Sequence, residues 1–190
     1  MDRLAQLLGV TALAASDRLR AAVGPGGSAP AALVHLQAHP GESVESLRKV
    51  LGISQPATVR IVDRLAADGL VERRPGADRR TLALHLTSAG DEAATGVLHR
   101  RMESLEDFLA ALDDDERAAL EPLLERLVAA LADDRPQALR VCRLCDRDAC
   151  RGQVGCPLDH TTLATPEGSV EPGGSVGPDG STPVGRGPAV

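Results

Sequence analysis

Every cysteine of the chain lies between Cys142 and Cys156, in the run "CRLCDRDACRGQVGCPLDH" that ends at His160. The spacing of Cys142, Cys145, Cys150 and Cys156 is C-x2-C-x4-C-x5-C, with Pro157 directly after the last thiol. A structural zinc usually recruits two C-x2-C pairs set a dozen or more residues apart, each turning tightly around one small ion. Only one such pair is present. The other two thiols arrive singly along a short continuous segment, a wrapping suited to a larger cluster whose irons each take one thiolate. Proline after the last ligand also recurs in ferredoxin-type runs. The expected cofactor is therefore an iron–sulfur cluster, most simply [4Fe–4S]. Zn2+ and redox-active thiols or disulfides stand as alternatives, with His160 as the spare ligand of a Cys3His zinc site. Arg140, Arg143, Arg147 and Arg151 are interspersed among the thiols, where cations lower thiol pKa and offset thiolate charge.

The rest of the chain must position this segment. Its 190 residues, 43% apolar and 25% charged, are enough for one modest core and a small appendage. With one Phe and no Tyr or Trp, that core has to be built from Leu, Val and Ala, which pack most easily between helices. A mainly α fold is expected. The longest apolar run, "LAQLLGVTALAAS" from Leu4, is too short to span a bilayer. The preceding "MDR" lacks the net positive charge of a signal peptide. A cytoplasmic protein without a membrane partner is expected, and in that compartment grouped thiols hold metal more often than they form disulfides.

Periodicity gives the elements. Leu4, Leu7, Leu8, Leu19 and Val23 fit an amphipathic helix that breaks at "GPGGSAP", residues 24–30. A second helix follows through "AALVHLQ", and a third starts at Ser43 and ends at Gly52. In "ISQPATVRIVDRLAADG" Ser54 is the expected N-cap, Pro56 sits in the first turn, and Gly69 closes the helix. The period then changes: Leu82, Leu84 and Leu86 alternate with Ala83 and His85, so two extended runs flank "PGADRR" as a hairpin with a charged tip. Helices resume from Ser88 to about residue 111 and from Asp113 to about residue 132. Asp113 and Glu116 suit a capping box, Pro122 predicts a kink, and Leu120, Leu123, Leu124, Leu127, Val128 and Leu131 form a stripe for core or dimer contact. Residues 161–190, rich in Gly, Pro, Ser and Thr, predict a disordered tail. His35, His39, His85 and His99 read as structural or surface residues, and no enzyme motif is present.

Two short helices followed by a charged hairpin is the order of a winged helix-turn-helix. Its second helix enters the major groove and its wing reaches backbone or minor groove. Between Glu42 and Gly90 eight basic residues face six acidic ones, a local excess hidden within a whole-chain charge of −6. The stretch "ISQPATVRIVDRLAADGLVERRPGADRRTLALHLTSAG", residues 53–90, resembles the MarR family of bacterial transcriptional regulators in its "SQ" helix start, "R-x-V-D-R-L", "G-L-V-x-R", "D-R-R" and "L-T-x-x-G", in that order. The resemblance covers residues 53–90 closely and about residues 1–135 loosely.

It implies a homodimer whose terminal helices interleave, reading pseudo-palindromic double-stranded DNA and usually repressing. It places Ser54, Gln55, Pro56 and Arg60 at the major groove. Arg60 is the candidate bidentate contact to guanine and Arg64 a phosphate contact. In the wing, Asp78 would orient Arg80 into the minor groove while Arg73, Arg74 and Arg79 serve phosphates. The expected organisation is a helical dimerisation region at 1–27 and 88–135, a winged helix-turn-helix at 28–87, a cysteine-rich segment at 136–160 and the tail. The expected function is a DNA-binding regulator, not an enzyme, whose affinity is modulated by the cluster through the angle of the two recognition helices. One alternative keeps the regulator with a structural zinc and a small-molecule effector. Another, of a different class, is an electron-transfer or cluster-carrier protein.

Overall fold

The structure is a computed structural model that describes residues 2–24, 27–76, 82–152 and 155–162. It is mainly helical, in the order α1 (Arg3–Val23), α2 (Ser28–Ala38), α3 (Val44–Leu51), α4 (Gln55–Ala67), β1 (Val71–Pro75), β2 (Leu82–Leu86), α5 (Ser88–Leu109), α6 (Asp114–Ala129), α7 (Arg135–Val141) and α8 (Arg147–Arg151), with a 3-10 turn at Asp159–Thr162. No helix among the described residues is long and apolar enough to cross a membrane.

Local signals set most boundaries. Ser43 accepts the Ser46 amide at 3.1 Å to start α3, and Gly52, at φ +66°, ends it in the left-handed region that glycine enters cheaply. Asp113 and Glu116 form the expected reciprocal capping box at the head of α6. The helix α2 begins at Ser28, three residues before the sequence expectation, because Pro30 falls in its first turn, where a missing N–H costs nothing. Pro122 lies within α6, which ends at Ala129 rather than near residue 132. Ser54 occupies the N-cap position of α4 but its side chain makes no cap bond. Caps bond the second or third amide of the helix, and Pro56 removes the second.

Strands β1 and β2 pair antiparallel from Val71↔Leu86 to Pro75↔Leu82, and Glu42 bridges to Leu84 on the far edge. This third partner changes the expected alternation. Ala83 and Leu84 are both buried, while Leu82 is exposed. One core gathers Leu33, Leu36, Leu47, Val62, Leu65, Val71 and Leu84 from α2, α3, α4 and the hairpin. A second, smaller cluster joins Val23, Val34 and Val97 of α1, α2 and α5. By contrast α6 buries no residue, and Leu123, Leu124, Leu127 and Leu131 are exposed, as are Leu4, Leu7, Leu8 and Leu13 of α1. The stripe read from the sequence therefore lies on the outside of the single chain.

Candidate functional site

The first turns of α4 divide cleanly. Thr58, Val62 and Leu65 face the core, while Ser54, Gln55, Pro56 and Arg60 are exposed together on the opposite side. Thr58 is held by its own chain, its amide and hydroxyl both donating to the Ser54 carbonyl at 3.0 and 3.1 Å. This anchors the helix start that presents the exposed group. Arg60 makes no hydrogen bond or ion pair among the described residues, so its guanidinium retains its full donor set. Arg64, one turn on, is exposed and 3.9 Å from Asp68. Both arginines border a groove of about 930 Å3 between α4 and the α1–α5 pair, with Val23, Pro30, Leu33, Ile61, Val97 and Arg100.

The wing arginines are already engaged. Arg73 donates to Asp63 of α4 at 2.5 Å, tying the hairpin to the recognition helix, and Arg74 pairs with Glu72 beside it. The sequence offered both as free phosphate contacts; here their charge is partly compensated, and Arg73 also positions the wing. Asp78, Arg79 and Arg80 lie outside the described residues.

The four thiols form a separate site. Cys142, Cys145, Cys150 and Cys156 all line one cavity of about 50 Å3, with Val34 and His35 of α2, His39 just after that helix, Arg135 and Ala138 of α7, and Arg147. The Cys145 thiol donates to the carbonyl of Asp146 at 3.3 Å. The pairing of neighbouring thiols holds Cys142 below the ordinary thiol range and pushes Cys145 far above it. Burial pushes Cys150 and Cys156 up. Three of the four thiols thus resist ionisation unless a cation arrives to take up the charge, and metal binding would release their protons. Among the described residues no three His, Cys, Asp or Glu side chains close on a single-ion site.

His160, the spare ligand of the sequence reading, is not in the cavity wall. Its Nε2 is 3.0 Å from the Ala132 carbonyl, just past the end of α6, and its Nδ1 is 3.1 Å from that of Pro157, so the ring sits between these two acceptors. The expected tail boundary shifts slightly, since Thr161 is buried and donates to the Leu158 carbonyl. Residues 163–190 lie outside the described part of the chain.

Two features escaped the sequence reading. His35 and His39, taken singly as surface or structural, stack at 4.7 Å and face the thiol cavity; Arg147 Nη1 is 3.1 Å from His39 Nε2. His35 is in the last turn of α2 and His39 is its C-cap, so the pair sits at the end of that helix. Leu144, inside the Cys142–Cys145 knuckle, packs against both core clusters of the winged helix. The cysteine segment is thereby docked on α2 and α3, not merely appended to the last long helix.

Comparison with known proteins agrees with this architecture. Residues 24–81 match the model of the MarR family. The chain is similar to a protein named as a transcriptional regulator for the hcr operon of Thauera aromatica, 34% identical over 90 residues, or 47% of this chain and 54% of that one. It is also similar to YsmB of Bacillus subtilis, an uncharacterised HTH-type transcriptional regulator, 35% identical over 71 residues, or 37% of this chain and 49% of that protein. The chain thus spans about half the length of these relatives. Crystalline MarR from E. coli superposes with a TM-score of 0.57 at 24% identity, over 67% of this chain and 98% of that one. The fold is accordingly the MarR-like winged helix-turn-helix, and the proteins it resembles are regulators rather than enzymes.

Proposed function

We propose that this chain is a cytoplasmic, homodimeric MarR-type transcriptional regulator whose affinity for double-stranded DNA depends on an iron–sulfur cluster held by Cys142, Cys145, Cys150 and Cys156. The observation that carries the DNA-binding reading is the exposed group Ser54, Gln55, Pro56 and Arg60 at the head of α4, in a fold that superposes on MarR. A helix start of this kind reads base edges, and a guanidinium with all donors unspent suits the bidentate contact to guanine. The exposed leucines of α1 and α6 supply an apolar surface that a second copy of the chain would cover. Pseudo-palindromic DNA follows from two-fold symmetry of such a dimer.

Four thiols around one cavity, two of them supplied singly along a short segment rather than as a second C-x2-C pair, favour a multi-iron cluster over a single tetrahedral zinc. When bound, a cluster supplies reversible redox and ligand-loss chemistry. The chain's own residues supply four sulfur donors, with Arg135 and Arg147 beside them to offset thiolate charge. The docking of this segment on α2 and α3 supports control acting on the winged helix directly, a shorter route than a change in dimer angle.

The test is a gel shift with the DNA upstream of the protein's own gene. Binding that weakens by about 1–3 kcal/mol in Arg60→Ala supports the reading, and equal binding by both proteins refutes the base contact. Iron and sulfide in protein purified without oxygen support the cluster; stoichiometric zinc in colourless protein replaces it. A second reading, a regulator gated by a small organic effector, is favoured by the groove beside Arg60, Arg64 and Arg100. Its volume of about 930 Å3 falls near the upper end of ligand pockets, whereas the thiol cavity, at about 50 Å3, is far too small for such a molecule.

A further inference from the structure

We infer that Arg140, on the cysteine-rich segment, is an additional DNA-phosphate contact that this segment delivers to the helix-turn-helix. The inference rests on the DNA-binding reading above. Helix α7 lies against α3, and the Arg140 guanidinium covers Gly52 at the turn between α3 and α4. A Cβ at Gly52 would stand 2.5 Å from Arg140 Nη2 and 2.7 Å from Nε, so the guanidinium lies directly against the Gly52 backbone. Arg140 is exposed and makes no ion pair among the described residues. The nearest basic neighbours on α3 differ in this respect, since Arg48 and Lys49 both engage Glu45.

Position gives this uncompensated cation its partner. Gly52 precedes Ser54 by two residues, so their Cα atoms are no more than about 7.6 Å apart. Ser54 opens the helix whose start enters the major groove, and the preceding helix crosses the sugar–phosphate backbone. A guanidinium lying over the end of that crossing helix, beside the groove-reading turn, is placed to meet phosphate oxygens with planar donors.

Arg140 is held there by the same segment that carries the thiols. Asp134 caps α7 through the Gln137 amide at 2.8 Å, Leu144 inserts into the winged-helix core, and Arg147 meets His39. Cys142, directly after α7, donates its amide to the Ala138 carbonyl at 2.9 Å. Whatever orders the four cysteines therefore orders Arg140. This assigns a concrete output to the cavity: the number of phosphates the protein neutralises.

The experiment is a salt titration of DNA binding by full-length wild type, Arg140→Ala and Arg140→Lys, using the duplex upstream of the protein's own gene and a scrambled duplex of equal length. Each lost phosphate contact lowers the slope of log K against log salt by about 0.9, and so roughly 1.8 for a dimer. That slope corresponds to about 5-fold weaker binding per protomer near physiological salt. The expected result is this loss in R140A on both duplexes alike, with R140K keeping most of the slope. In protein stripped of the contents of its cysteine cavity, wild type and R140A should converge. An unchanged slope in R140A overturns the contact, and a loss confined to the upstream duplex overturns its assignment to phosphate. An undiminished difference in stripped protein overturns delivery by the segment. If wild type binds neither duplex, the DNA-binding reading falls, and this inference with it. Should R140A fail to fold, as judged by its circular dichroism melt, Arg140→Gln replaces it with the same expected loss.

Discussion

Substituting Gly90 by alanine should cost more stability than its single methyl group suggests. Gly90 sits in the first turn of α5, where an added Cβ would come to 1.9 Å from the Leu70 carbonyl oxygen and 2.9 Å from the carbonyl carbon. Ordinary contact lies at 3.4–4 Å, so α5 and the base of the hairpin would have to part by more than 1 Å, a shift close packing resists. Two bonds lie across that joint, and a third caps the helix beside it. The Thr87 amide donates to the Leu70 carbonyl at 3.0 Å, the Thr87 hydroxyl to the Gly69 carbonyl at 2.7 Å, and the Gly90 amide to Thr87 Oγ1 at 3.0 Å. Overpacking of this kind costs about 1–3 kcal/mol. Losing two of the bonds adds about 1 kcal/mol each. Helix propensity acts the other way, favouring alanine by about 1 kcal/mol. The net expectation is a loss of roughly 2–4 kcal/mol, read as a lower urea midpoint by circular dichroism. Alanine that matches or exceeds glycine in stability would refute the close approach, because propensity alone predicts that sign.

Asp113→Ala removes one half of the capping box at α6 and should lower stability by about 1 kcal/mol in the same denaturation assay; no change would mean that α6 draws its order from elsewhere. Leu144→Ala, at a partly buried anchor, should cost about 2 kcal/mol and speed amide exchange in α7 more than in α5. Uniform exchange in both helices would contradict the docking of the cysteine segment through Leu144. Stability should also depend on pH. Burial holds His35 below the ordinary histidine value of 6.5, a fall reinforced by Arg147 and Arg135 and opposed by Glu42; burial and the neighbouring His35 do the same to His39. The unfolded chain takes up those protons first, so the stabilisation is complete above pH 6.5 and declines as pH falls through that value toward the lower folded ones. Urea midpoints that fall below pH 6.5 in wild type and flatten in a His35→Gln, His39→Gln variant are expected; equal slopes in both would contradict it.

The features legible in the sequence are those whose cause is local. Ser43, Gly52, Gly69 and the Asp113–Glu116 pair mark helix ends by their own backbone chemistry, and the motifs from Ser54 to Gly90 gave the winged helix. Ser54 shows the limit even there, since the proline two residues on removes a donor its cap needs. The features missed are tertiary. Nothing in the C-x2-C spacing tells that Leu144 between the thiols enters the core, or that Arg140 covers Gly52. The burial of Ala83 beside Leu84 depends on Glu42 bridging the strand edge, an interaction across some forty residues. His35 and His39 meet at the end of α2, and the arginines that share their cavity arrive from α7 and α8.

The central claim joins the thiol cavity to DNA binding, and one measurement addresses it directly. Protein purified without oxygen is titrated onto its upstream duplex at fixed salt by fluorescence anisotropy, then retitrated after its iron and sulfide have been removed. The account predicts bound iron and sulfide in the first sample and a clear difference in affinity between the two. Identical affinities, or a first sample without iron and sulfide, would contradict it.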